Sequence, residues 1–149
     1  MQKHWFALHG AVYILFIQDG KLLMLRRTNT NYEDGKMSLV AGKLDGGEEV
    51  KAAAAREAWE ESGVKVDPAD LDVVGVMHRA SDSGEWMDFF LKANRWEGEF
   101  SNKEPHKCSE LAWHPLDDLP EDTIAHVRKA VYNYRNGIFY DGYGWDGTK

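Results

Sequence analysis

The stretch GKLDGGEEVKAAAAREAWEESGV, residues 42–64, decides how the rest of the chain is read. It opens on a bend rich in glycine and runs on through alanines 52–55, the strongest helix formers. Gly63 stands where a helix C-cap glycine belongs, so the spacing predicts a helix over about residues 49–62. On that helix Glu57, Glu60 and Glu61 occupy positions i, i+3 and i+4, which makes their side chains neighbours on one face. Val50, Ala53 and Ala54 fall on the same half-turn, so this acidic face looks toward the edge of a core.

Three neighbouring carboxylates repel one another, and near a core they call for a cation. Oxygen ligands without a histidine or cysteine pattern favour Mg²⁺ or Mn²⁺ over zinc. Arg56 is placed to reach Glu60 one turn on, or Glu48 at the helix start, and to orient a carboxylate. Gly42, Gly46 and Gly47 let the loop backbone approach a phosphate or a metal. A Glu-rich helix in an acidic protein also describes an ordinary solvated face. The spacing of the whole stretch separates the two readings.

Outward from this helix, residues 9–17 and 21–27 are apolar runs joined at Asp19-Gly20, the signature of a hairpin. Residues 28–36 form a polar loop, and residues 37–41 suit a short strand. Two further strands are expected over 71–79 and 86–96, and another over 111–116. Ile124, Val127, Val131 and Tyr134 make the apolar stripe of a second helix ending at Gly137. Strands on either side of a central helix, with another helix near the end, suggest a sheet covered on both faces. The tail from Tyr140, rich in glycine and aromatics, fits none of these patterns.

The 149 residues suit one domain spanning 1–149, with 43% apolar and 29% charged residues. A net charge of −7 disfavours a nucleic-acid polymer as partner, yet leaves room for a small phosphorylated ligand carried with a divalent cation. Cys108 is the single cysteine, so no internal disulfide forms and a cytoplasmic setting is expected. The apolar run at 12–17 is too short to span a membrane.

Gly42, Glu48, Arg56, Glu57, Glu60, Glu61 and Gly63 reproduce the fixed spacing of the Nudix box, and the chain resembles that family. Seven identities at set spacing arise by chance on the order of 10⁻⁸ times per start position at average composition. Ala58 is smaller than the aliphatic residue usual at its position, and Ala41 replaces a frequent glycine just before the box. The resemblance implies an α+β fold, an α/β/α sandwich with a mixed sheet between helices. It also implies hydrolysis of a nucleoside diphosphate linked to another group, with Mg²⁺ or Mn²⁺ as cofactor. On this resemblance Glu57 and Glu61 are metal ligands, Glu60 ligates or supports a metal, and Glu57 helps activate water. Arg56 and Glu48 orient them, Gly42 opens the box, and the Ala41 carbonyl is a backbone ligand.

Residues 102–108, Asn-Lys-Glu-Pro-His-Lys-Cys, resemble the N-x-E-P-x-K-C stretch of small Nudix enzymes acting on nucleoside triphosphates. That match makes Glu104 a further metal ligand or the general base. Arg26 and Arg27 end a strand beside the polar loop, and alternation aims at most one at substrate phosphates. Trp86, Phe89, Phe90 and Tyr32 are candidates to stack on a base, although aromatics at strand spacing more often build core. Asp122 opens the last helix, a region from which the resemblance implies contact with a purine edge, but an ordinary N-cap is the favoured role. The expected reaction releases a monophosphate and pyrophosphate from a nucleoside triphosphate, with an oxidised or non-standard purine among the candidates. Cleavage of ADP-ribose or a nucleotide sugar is the alternative, and a non-catalytic nucleotide sensor a third reading, disfavoured because all four box glutamates are retained. Nudix domains occur both as monomers and as homodimers.

Overall fold

The computed structural model describes residues 4–146. In chain order its elements are β1 (His9–Leu15), β2 (Ile17–Gln18), β3 (Lys21–Arg27), β4 (Met37–Ser38), β5 (Val40–Lys43) and α1 (Val50–Ser62). They continue with β6 (Leu71–Ser81), β7 (Gly84–Ala93), β8 (Cys108–Pro115), α2 (Ala125–Arg135) and β9 (Tyr140–Tyr143). No helix among the described residues is long and apolar enough to cross a membrane.

The strands make two sheets. A mixed five-stranded sheet runs β5-β1-β7-β6-β9, with β1–β7 and β6–β9 parallel and the other pairs antiparallel. The second sheet is antiparallel and centres on β3, which pairs with β2, β4 and β8. This division breaks two runs that the sequence presents as continuous. The run 9–17 is interrupted at Phe16 and the run 37–41 at Leu39, where the chain passes from one sheet to the other. Both turning residues are fully buried, so apolar patterning gives no sign of the break. The hairpin at Asp19-Gly20 forms as expected, both residues having positive φ as a two-residue turn requires.

Alternation along the strands fills two apolar layers. Val12, Ile14, Leu23 and Leu25 join Ala53, Ala54 and Ala58 of α1 in one. Tyr13, Leu15, Leu22 and Met24 join Val127 and Val131 of α2 in the other. The sheets are thus covered on both sides, the mixed α+β sandwich expected. Small residues on the buried face of α1 let its backbone lie close to β5, and that approach positions the site. Gly63 closes α1 in the left-handed region (φ 74°), its N–H bonded to the Trp59 carbonyl.

The tail is a strand after all. β9 extends the five-stranded sheet along β6, and two side-chain bonds fix it: Asn133 Nδ2 to Asp141 Oδ2 at 2.8 Å, and Trp145 Nε1 to the His78 carbonyl at 2.8 Å. Asp122 is not the N-cap of α2. Ile124 occupies that position without a side-chain cap bond, and the Asp122 carboxylate is taken by Arg26 from across the fold.

Phe16 is fully buried and its ring meets Trp96 at 5.3 Å and Phe100 at 4.9 Å, both edge-on. Phe16→Ala is expected to lower unfolding free energy by about 3–5 kcal/mol, read from denaturant melts against wild type. A loss below about 1 kcal/mol would show that this crossover is not a packing centre.

Candidate active site

The site forms where α1 crosses β5. Gly42 lies directly under Glu57: a Cβ at position 42 would fall 2.0 Å from the Glu57 carboxyl carbon and within 2.5 Å of both its oxygens. Glycine is needed here for space, since Gly42 is not in the left-handed region. Gly46 (φ 88°) and Gly47 (φ 72°) are left-handed and turn the chain from β5 into α1. One residue before Gly42, the backbone N–H of Ala41 donates to Glu61 Oε1 at 3.1 Å. The strand therefore grips two glutamates of the helix, one by a hydrogen bond and one by the missing side chain.

Arg56 governs the opposite side of the cluster. Its Nε and Nη2 fork onto Glu48 at 2.9–3.2 Å, and Nη1 donates to Glu57 Oε1 and Glu60 Oε2, each at 2.9 Å. It reaches both partners expected of it, and Glu57 as well. Glu60 is turned outward onto this guanidinium, with 44% of its side chain exposed against 13% for Glu57. Among the described residues no three carboxylate, histidine or cysteine side chains are gathered tightly enough to hold an ion as they stand. Glu57 and Glu61, one turn apart on α1, lie near enough for the charge of Glu57 to act on Glu61.

That pair is electrostatically uncomfortable. Burial raises the Glu57 carboxyl above its ordinary range, opposed by Arg56 and reinforced by Glu60. Glu61 is raised well above it, by burial first, then by the charge of Glu57, with Glu104 adding to the repulsion and the Ala41 N–H opposing it. A divalent cation fits this donor set. It would offset the repulsion and use hard oxygen ligands already walled in by backbone.

Glu104 arrives by a separate route. The C-terminal turn of α1 leaves carbonyls without helical partners, and the chain after β7 supplies them: Ser101 N–H bonds Ser62 O, and Lys103 N–H bonds Glu61 O. The Asn102 side chain then ties the loop to itself. Its Oδ1 accepts from Glu104 N, its Nδ2 donates to Cys108 O at 2.6 Å, and Glu104 O accepts from both Lys107 and Cys108 N–H. The spaced Asn, Glu and Cys are thus a loop brace, and it leaves the Glu104 carboxylate within electrostatic reach of Glu61 with no hydrogen-bond partner among the described residues. Cys108 is a buried, packed thiol.

The two arginines at the end of β3 part company. Arg26 bonds Glu110, Asp122 and the Gly35 carbonyl, while Arg27 donates to Tyr32 O and Thr30 Oγ1 across the polar loop. A register shift between them breaks the simple alternation of faces. Of the aromatic candidates, Phe90 is core, Phe89 packs beneath α1, Trp86 is half-buried, and Tyr32 is exposed on the loop. Sequence reading missed the Ala41–Glu61 bond, the Arg26–Asp122 pair and a buried Arg79–Asp88 pair. The first two join residues 20 and 96 positions apart, and only the last, nine apart across one hairpin, had a local sign, charges inside an apolar strand run.

A profile of the NUDIX domain matches residues 7–134. The oxidized purine nucleoside triphosphate hydrolase of Danio rerio is 32% identical over 111 residues, covering 72% of this chain and 66% of that relative. This chain therefore spans just under two thirds of that relative's length. A crystal structure of a MutT NUDIX hydrolase from Burkholderia pseudomallei superposes with a TM-score of 0.77 at 27% identity, over 85% of this chain and 98% of that one. The MutT protein of Methanosarcina mazei Go1 shares the fold, with a TM-score of 0.75 at 23% identity over 87% and 94% of the two chains.

In chelator, the raised carboxyls give a definite pH response. A glutamate whose pKa is higher folded than unfolded binds more protons in the folded state, so stability falls as pH rises. The melting temperature of the metal-free protein is expected to decline from the unfolded value of 4.5 upward, through the folded value of Glu61. Glu61→Gln should flatten that decline, and an equal slope in both proteins would remove Glu61 as its source.

Proposed function

Because this chain belongs to the NUDIX domain family, we propose that it hydrolyses a nucleoside triphosphate at a phosphoanhydride bond, releasing a monophosphate and pyrophosphate with Mg²⁺ or Mn²⁺ as cofactor. The observation that carries the reading is the confinement of Glu57 and Glu61 against Gly42 and the Ala41 N–H, two carboxylates whose repulsion a divalent cation would offset. The name of the Danio rerio relative supports the substrate class, and a purine base, oxidised or non-standard, is the form we favour.

Glu57 and Glu61 would hold the ion, with the Ala41 carbonyl and Glu60 as further oxygen donors. When bound, the ion neutralises charge on the phosphate oxygens and acidifies water. The chain's own residues do the rest. Arg56 fixes the Glu57 carboxylate through one N–H while Glu48 holds the guanidinium by two others, so Glu57 presents the same oxygen at each turnover. Glu104, free of a guanidinium partner, accepts the proton of the attacking water. As water bonds to phosphorus, the bridging P–O bond breaks and pyrophosphate leaves. Arg26 Nη2 and Arg27 Nη1, which have no bonded partner among the described residues, are the atoms that would meet the phosphates.

Purified protein is incubated with Mg²⁺ and a panel of nucleoside triphosphates, ADP-ribose and nucleotide sugars, and products are separated chromatographically. Pyrophosphate release from a triphosphate is expected, with Glu57→Gln reducing kcat by about 10²–10⁴ and Glu104→Gln by about 10². Unchanged kcat in Glu57→Gln would refute its role, and turnover confined to ADP-ribose or a nucleotide sugar would overturn the substrate class.

Gly42→Ala separates site from fold. The added methyl displaces a side-chain tip rather than backbone, so the melting temperature should shift by only a few degrees. Activity should drop about a hundredfold or more, because Glu57 is pushed off the strand. Full activity in folded Gly42→Ala would contradict the close approach.

A further inference from the structure

Arg79 on β6 and Asp88 on β7 form a buried ion pair that the acidic site does not use. They sit diagonally in the ladder, Met77 being opposite Asp88 and Trp86 opposite Arg79. Arg79 donates Nε to Asp88 Oδ2 at 2.6 Å and Nη2 to Oδ1 at 3.2 Å, with side chains 6% and 0% exposed. Such a pair adds little stability over apolar residues of equal volume, because both ions are desolvated. What it does add is a guanidinium fixed in direction. The carboxylate fork holds two nitrogens, and the Trp86 ring lies 5.3 Å from the guanidinium carbon. Only Nη1 has no bonded partner among the described residues. Among the described residues, the fully buried side-chain polar atoms without a partner are on His114 and Asn133.

The surroundings suit a flat ring. Tyr13 stacks on Phe90 at 4.7 Å and its hydroxyl is engaged by His126 Nε2 at 3.0 Å. Burial holds that imidazole neutral, its pKa lowered to about 3. Tyr143 of β9 is opposite Arg79 on the other side of β6. Tyr32 lies within electrostatic reach of Arg79, on a loop in which Asn29, Asn31 and Glu33 all have positive φ, and its ring lies 5.2 Å from the Arg27 guanidinium. That loop is held by polar contacts of Arg27 and Asp34, which open more readily than packed apolar ones. The region also adjoins the acidic site, since Tyr13 pairs with Ala41, whose N–H holds Glu61. Arg79 on β6 is three strand spacings, about 14 Å, from β5 in the order β5-β1-β7-β6, with Tyr13 on β1 between them.

We propose that Arg79 is the residue that determines base specificity, its Nη1 N–H donating to a carbonyl on the edge of the substrate's purine. This inference rests on the nucleoside triphosphate reading. The free polar group is a donor and both Asp88 oxygens are engaged, so a 6-oxopurine edge, which offers acceptors, is accepted. A 6-aminopurine would set its own N–H against that donor, and a site built around a hydrogen bond rejects such a ligand.

The test uses guanosine and adenosine monophosphates, titrated calorimetrically without metal so that hydrolysis plays no part. Wild type should bind the guanosine compound at least about tenfold tighter, the order expected of one charge-assisted hydrogen bond. Arg79→Lys keeps a cation beside Asp88 but loses the fork, and should bring the ratio within about threefold while adenosine monophosphate affinity holds. No preference in wild type, or an undiminished one in folded Arg79→Lys, would overturn the proposal. If Arg79→Lys does not fold, nitrogen-15 resonances of the wild-type guanidinium groups decide. A buried-arginine signal shifted by the guanosine and not the adenosine compound supports the proposal, and no shift with either defeats it. A retained preference in a protein that hydrolyses no triphosphate would sink the reaction while leaving the role of Arg79 standing.

Discussion

Two carboxylates that repel each other, held at the lip of the core, are the constraint on which the rest of the structure depends. Glu57 and Glu61 are one turn apart on α1 in surroundings whose burial raises both carboxyls. Everything nearby keeps them there. The small residues Ala53, Ala54 and Ala58 bring the helix down onto the sheet, Gly42 clears space for one carboxylate, and the Ala41 N–H takes the other. Without a cation the arrangement is costly, because like charges in a partly desolvated site cannot both ionise freely. The fold withstands this strain through two apolar layers and the helix ends.

The same economy of contacts links the ends of α1 to function. Glu49 caps its start through Lys51 N–H, and Glu48 beside it becomes the anchor for Arg56. At the other end Ser101 and Lys103 satisfy the last carbonyls, and so carry the loop that bears Glu104. Satisfying orphan backbone groups and assembling the site are one event here. Arg56, bonded to three glutamates, keeps Glu60 away from the pair and leaves Glu57 half-buried beside Glu61.

What could be read from the chain was what local periodicity encodes. The helix over α1, its glycine stop, the Asp19-Gly20 hairpin and the stripe of α2 all depend on neighbours within a few residues. The fold class followed from their order, and the acidic cluster from seven residues at fixed spacing. What escaped depends on distant partners. Phe16 and Leu39 continue apolar runs, yet the chain changes sheets at both. Asp122 carries the right residue type for a cap, but an arginine 96 positions away takes it first. Tyr140 to Tyr143 lacks apolar alternation, and its edge place on β6 is fixed by Asn133 and by Trp145 bonding the His78 carbonyl. Reading Arg26 and Arg27 by alternation alone fails because the ladder shifts register between them.

The two confined carboxylates are expected to hold a divalent cation. Mn²⁺ binding followed by electron paramagnetic resonance at neutral pH, with wild type and Glu61→Gln compared, reads this without any substrate. Tight binding in wild type, weakened at least about tenfold in the variant, is the predicted result, since ligand charge sets affinity at such sites. Equal binding by both proteins, or none by wild type, would contradict it.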